Sequence, residues 1–168
     1  AQNGLLIKNA EILEKAHLIT TVVLDKTGTI TQGNPTVTDF NCFNNESDLL
    51  NAIYSIESKS EHPLATAICN YAKQKGASTQ TIENFESIDG LGLKAEVNGK
   101  TYLIGNPQNA TPNLNDKKLL QAINELANQG KTPLVIVVNG VIQALIALKD
   151  EVKEQSQKAV ELLQKRGI

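Results

Sequence analysis

Two Asn-Gly pairs constrain this chain more than any other feature. Asn98-Gly99 separates "LGLKAEV" from "KTYLIG", and Asn139-Gly140 separates "PLVIVV" from "VIQALIAL". A two-residue Asn-Gly loop between strand-like runs closes a tight antiparallel hairpin, because both residues tolerate the left-handed backbone that strand twist demands. The middle of the chain therefore carries antiparallel strands. "TVTDF" and "TIENFESI" read as further strands beside them.

Helical patterns separate these runs. "ESDLLNAIYSIES" and "PLATAICNYAKQKG" read as two helices, with Pro63 suited to a first turn and Gly76 to a C-terminal cap. "NDKKLLQAINELANQG" reads as a third, capped by Asn115 or Asp116 and ended by Gly130. The chain ends have another character. "LLIKNAEILEKA" sets Leu5, Leu6, Ala10, Leu13 and Ala16 at near-helical spacing, and "EVKEQSQKAVELLQKRG" reads as a closing helix. "TTVVL", residues 20–24, is short, β-branched and uniformly apolar, as a parallel-type strand buried on both faces should be. The pattern predicts an incomplete α/β domain into which an antiparallel α+β domain, its sheet flanked by helices, is inserted. The expected parts are 1–34 and 149–168 for the outer domain and 35–148 for the insertion. Both ends look cut.

Composition excludes several functions. With 40% hydrophobic and 20% charged residues over 168 positions, the chain can build a packed core. A net charge of −2 offers no footprint for nucleic acid or anionic lipid. Cys42 and Cys69 form no Cys-x-x-Cys pair, so neither a zinc site nor a disulfide framework is expected, and a reducing compartment is the default. The chain opens on no leader pattern. Its most apolar stretch, "LVIVVNGVIQALIAL", is broken by Asn139, Gly140 and Gln143 before it reaches the length of a membrane span.

Asp25 follows directly on the 20–24 run, at the place where open α/β sheets present ligand sites. A lone loop aspartate is usually a local turn-former. The complete string Asp25-Lys26-Thr27-Gly28-Thr29 suits phosphoryl transfer to a carboxylate instead. Such an attack meets like-charge repulsion, which Lys26 and a magnesium ion would offset. Gly28 lets backbone N–H groups approach phosphate oxygens, while Thr27 and Thr29 add hydroxyls. A second group of residues lies downstream: Glu57, Glu61 and His62 in "IESKSEHPLATAI", then Gly90 and Gly92, then Gly105-Asn106. His62 and Pro63 alone read as a helix start. Glycines inside strand-like runs, however, mark bulges or the close approach of a ligand such as a planar base. No Gly-x-x-x-x-Gly-Lys phosphate loop is found.

"DKTGTIT" resembles the phosphorylation signature of the P-type ATPases, with Ile30 where leucine is usual. The resemblance implies a haloacid-dehalogenase-like phosphorylation domain with an inserted nucleotide-binding domain. Asp25 is then the phosphorylated nucleophile, with Lys26 and Thr27 beside it. Asp25 and Thr27 would be part of a magnesium site that this stretch leaves incomplete. Thr27 stands where related phosphatases carry a second aspartate. A hydroxyl is a poor base near neutral pH, so hydrolysis of the acyl-phosphate should be slow. Ser60-Glu61-His62-Pro63-Leu64, Gly90-Leu91-Gly92 and Ile104-Gly105-Asn106 resemble the ATP site of the heavy-metal subgroup. By position, Glu57 would accept the adenine amino group and His62 would lie against the ring or ribose. Gly90, Gly92, Gly105 and Asn106 would form the floor. The resemblance implies ATP and magnesium as cofactors, and as partners a membrane domain and the remaining phosphorylation domain of one longer chain. It places this stretch on the cytoplasmic side of an integral membrane protein, exporting copper(I) or silver by the similarity of "IKNAE". A soluble phosphatase of the same outer fold and a non-catalytic nucleotide-binding module are the rival readings.

Overall fold

The computed structural model describes residues 9–111 and 114–168. Both Asn-Gly pairs make the predicted turns: φ is +49° at Asn98 and +70° at Gly99, and +49° at Asn139 and +80° at Gly140. The first joins β3 (Gly92–Val97) to β4 (Lys100–Gly105), and the second joins β5 (Thr132–Val138) to β6 (Val141–Lys149). With β1 (Thr36–Cys42) and β2 (Ile82–Ile88) they form one six-stranded sheet of order β1-β6-β5-β4-β3-β2, antiparallel at every pairing.

Each face of the sheet is apolar because the strands alternate. On one face lie α2 (Glu46–Glu57) and α3 (Pro63–Gln74), whose Ile53, Ile56 and Ile68 pack with Leu93, Ile104, Ile136 and Ile146. On the other face, α5 (Lys117–Asn128) sets Ile123 and Leu126 against Val135, Val137 and Leu145. Caps explain the helix starts: Asn45 for α2, His62 for α3 with Pro63 behind it, and Asp116 rather than Asn115 for α5. A short helix without a sequence prediction, α4 (Pro107–Ala110), follows β4 and is capped by Asn106.

The chain divides into two units, 33–151 and the pair 1–32 with 152–168. The edge strand β1 pairs with β6, which brings the two ends of the larger unit together. There Asp150 accepts hydrogen bonds from the backbone N–H groups of Gly33 and Asn34 at 3.1 to 3.2 Å.

The smaller unit departs from expectation. Helix α1 spans Ala10–Ala16, while Leu5 and Leu6 of the predicted pattern lie outside the described residues. Residues 20–24 do not form a strand; Val22, Val23 and Leu24 are exposed, Val23 at 92%. A strand needs a hydrogen-bonded neighbour, and no described residue pairs with this run. The parallel-type strand read from the sequence is therefore corrected to chain without regular secondary structure. The closing helix, α6, runs Glu154–Lys165. No described helix is long and apolar enough to cross a membrane.

Candidate functional site

In the smaller unit, Asp25 has extended backbone and caps a single wide turn over Lys26–Ile30, closed by Thr31 N–H donating to Lys26 O at 3.0 Å. Asp25 is exposed, and among the described residues no hydrogen bond or ion pair holds its carboxylate. Lys26 is exposed beside it, and the side chain of Thr27 lies outside the described parts. The turn is tied to the returning chain. Thr31 bridges Val152, Lys153 N–H donates to Ile30 O at 2.9 Å, and Lys153 Nζ donates to Gly28 O at 2.5 Å. Ser156 Oγ donates to Thr29 O at 3.3 Å. These bonds hold the backbone of residues 28–31 while leaving the carboxylate of Asp25 unengaged.

In the larger unit, Gly90, Gly92, Gly105 and Asn106 collect at one end of the sheet. Gly92 and Gly105 are direct partners in the β3–β4 ladder, Gly90 lies two residues before, and Asn106 one residue after. Asn109 on α4 donates through Nδ2 to Gly90 O at 2.5 Å, closing this corner. The first turn of α2 shares a cavity with Lys100 and Asn139, at the opposite, hairpin end of β4. Twelve helical residues rise about 18 Å, and six strand residues span about 20 Å. Glu57, the last residue of α2, lies about one helix length from that cavity. His62 caps α3 five residues later, exposed, with Nδ1 accepting from Leu64 N–H at 3.1 Å.

The glycines meet different surroundings. A Cβ on Gly92 would stand 2.1 Å from Ile104 O, and one on Gly105 would stand 1.8 Å from Leu91 O. Backbone fills the space at both positions. At Gly90 the nearest atom is Asn109 Nδ2 at 4.0 Å, so here a surface is open. The sequence pattern signals close approach without saying by what. At Gly92 and Gly105 the neighbouring strand approaches first.

Glu57 is the unusual group. It is 4% exposed, and burial pushes its carboxyl from the ordinary 4.5 up to about 7. No described group donates a hydrogen bond to it, yet neither oxygen is both sealed from solvent and unpartnered. The acid thus reaches the surface through a small opening, uncompensated. Because the folded state holds its proton more tightly, stability contributed by the neutral acid is present below pH 4.5 and is lost as pH rises through about 7. The displacement from 4.5 to about 7 corresponds to about 3 kcal/mol as an upper figure. Glu57→Gln is expected to raise stability by up to about 3 kcal/mol at pH 8 and to change it little at about pH 4, measured by urea unfolding at both. Equal effects at the two pH values would refute this account of its acidity.

A separate cavity of about 1080 Å³ opens on the α5 face, lined by Leu91, Lys94, Leu103, Leu119, Val137 and Ile142 among others. None of the candidate residues lines it.

Residues 19–168 match the model of the haloacid dehalogenase-like hydrolases. The chain belongs to that family. This haloacid dehalogenase-like chain is 42% identical over 176 residues to a probable cadmium-transporting ATPase of Alkalihalophilus pseudofirmus, across all of this chain and 24% of that protein. It is 39% identical over 174 residues to a copper-exporting P-type ATPase of Staphylococcus epidermidis, across all of this chain and 21% of that protein. A solved catalytic domain of the CPx-ATPase CopB-B superposes with a TM-score of 0.67 at 26% identity, covering 99% of this chain and 58% of that one. The chain thus spans less than a quarter of the two curated relatives' length. The resemblance to heavy-metal P-type ATPases and the α/β haloacid-dehalogenase-like assignment are borne out.

The family resemblance implies magnesium, which needs several hard oxygen ligands. Among the described residues no three His, Cys, Asp or Glu side chains gather as metal ligands. Asp25 alone supplies too few hard oxygens for octahedral magnesium. Sequence reading missed Asn109, which braces Gly90, and Lys153, which holds the turn after Asp25. Asn106 followed by Pro107 was the readable signal for α4, since proline suits a first helical position.

Proposed function

We propose that this chain is the ATP-binding and phosphoryl-accepting portion of a heavy-metal-transporting P-type ATPase. In this reading 35–148 is the nucleotide-binding domain, and 1–34 with 149–168 belong to the phosphorylation domain. Glu57 accepts the adenine amino group, and His62 lies against the base or ribose. Gly90, Gly92, Gly105 and Asn106 form the floor. A carboxylate oxygen of Asp25 attacks the γ-phosphorus in line; the bond to the β-phosphate oxygen breaks, ADP leaves and an acyl-phosphate remains. Lys26 offsets the charge that gathers there. The mixed anhydride then biases a membrane domain of the same longer chain, on whose cytoplasmic side this portion stands, between two states. The transported ion is proposed to be copper(I), on the similarity of residues 7–11 to copper and silver exporters.

The observation that carries the reading is the exposed, unengaged carboxylate of Asp25 at the head of a turn whose backbone is tied down behind it. Support also comes from the relatives' names and from the CopB-B domain, whose study concerns conformational changes upon nucleotide binding. Chemical-shift mapping with ATP is expected to perturb residues 57, 62, 90–92 and 105–106. Glu57→Ala and His62→Ala should each weaken binding by about tenfold or more. Perturbations confined to residues 115–130, on the opposite face of the sheet, would reject the assignment. For the longer protein, ATPase activity stimulated most by copper(I) among copper(I), silver, zinc and cadmium is expected. Stimulation by none of them would overturn the transport reading.

A further inference from the structure

We propose that Glu57 reads the nucleotide base as a neutral carboxylic acid, and that its proton makes the site select adenine over guanine. The inference rests on the reading of Glu57 as the base contact and adds a chemical state to it.

The geometry disfavours a carboxylate at this position. Glu57 is the final residue of α2, where the helix dipole disfavours negative charge. It is 4% exposed, and among the described residues no salt bridge includes it. On α3, burial and then the charge of Glu57 push the Cys69 thiol up, so the two groups repel one another when charged. Lys73, on the same helix, sits over the Tyr54 ring at 5.5 Å instead of pairing with Glu57. In the connecting loop Lys59, Glu61 and His62 are exposed, and on β2 and β3 the charged Glu83, Glu86 and Lys94 are exposed while Glu96 accepts from Asn84. None of these groups shifts the acid; burial alone raises it to about 7.

The protonation state decides what the group can recognise. A neutral carboxyl offers one O–H donor and one carbonyl acceptor, while a carboxylate only accepts. The pairing edge of adenine presents an acceptor, N1, beside a donor, the N6 amino group, and so complements the neutral acid through two bonds. The edge of guanine presents two donors, N1–H and the N2 amino group, and so complements the carboxylate. A charged Glu57 would favour the wrong base. Glutamine, with one donor and one acceptor at nearly the same positions, imitates the neutral acid at every pH.

The test is the ratio of ATP to GTP dissociation constants for this chain at a low and a high pH; the triphosphate is common to both ligands, so its own titration cancels. About 1.5 pH units above a midpoint near 7, one carboxyl in about 30 is neutral. The preference for ATP is therefore expected to fall by up to about 30-fold between about pH 6 and about pH 8.5. Glu57→Gln should hold the low-pH preference at both. A preference in the unsubstituted chain that does not change with pH would overturn the proposal, as would a pH dependence that survives in Glu57→Gln. Failure to bind ATP at any pH would sink the nucleotide reading, and the proposal with it. ATP binding with an invariant ratio would sink the proposal alone.

Discussion

Gly105→Ala is expected to destabilise the larger unit by more than about 4 kcal/mol, enough to leave a domain of ordinary stability barely folded. The added methyl group would stand 1.8 Å from Leu91 O, 3.0 Å from Leu91 C and 3.4 Å from Gly92 Cα. All three are backbone atoms, so no side-chain rotation relieves the overlap. The two strands would have to separate at the end where β3 and β4 begin and finish their ladder. Gly92→Ala meets the reciprocal obstruction, 2.1 Å from Ile104 O, at a φ of +129° that no L-residue adopts without strain. Gly99→Ala provides the comparison. It too has a positive φ, but nothing lies within 4 Å of its Cβ, so it should cost only about 1 to 2 kcal/mol. Urea midpoints of the three variants against the parent chain measure this. A loss under about 1 kcal/mol for Gly105→Ala would show that the strands yield more easily than close-packed backbones should.

The contrast among these glycines shows what the sequence makes legible. The hairpins could be read because the demand is local: Asn-Gly meets a backbone requirement within two residues. The helix starts at Asn45, His62 and Asp116 are local in the same sense. The pairing of β1 with β6 is not, since nothing in "TVTDF" names a partner more than a hundred residues away. The 20–24 run failed for the related reason that composition signals a buried strand but does not supply its neighbour. At the candidate site, the string after Asp25 and the Gly90, Gly92 and Gly105 series were visible as departures from ordinary strand and loop chemistry. What occupies the space above Gly92 and Gly105 was not. Nor was the burial of Glu57, because a glutamate near a helix end reads as a solvated charge until the packing of α2 on β3 is known. Asn109 and Lys153 were invisible for a plainer cause: each acts through a hydrogen bond to a distant backbone carbonyl, and any polar residue type would look the same.

Asp25→Asn in the longer protein is expected to abolish the acid-stable, hydroxylamine-sensitive phosphoenzyme and to lower ATP turnover by about 10⁴-fold or more. The substitution keeps the size of the side chain and its position at the head of the turn. Since no described group bonds to the carboxylate, nothing that holds residues 26–31 is removed with it. On the proposed reading, what disappears is a nucleophile: an amide nitrogen, its lone pair delocalised into the carbonyl, does not displace ADP from the γ-phosphate. In the proposed reading the base is held by Glu57 and His62, which belong to the other unit, so ATP affinity should not fall. Lys153→Met separates position from chemistry. It removes the hydrogen bond to Gly28 O while leaving Asp25 intact, so phosphoenzyme should still form but slowly, with its hydroxylamine sensitivity unchanged. A phosphoenzyme of undiminished amount in Asp25→Asn would assign the phosphate to another residue and end the case for Asp25.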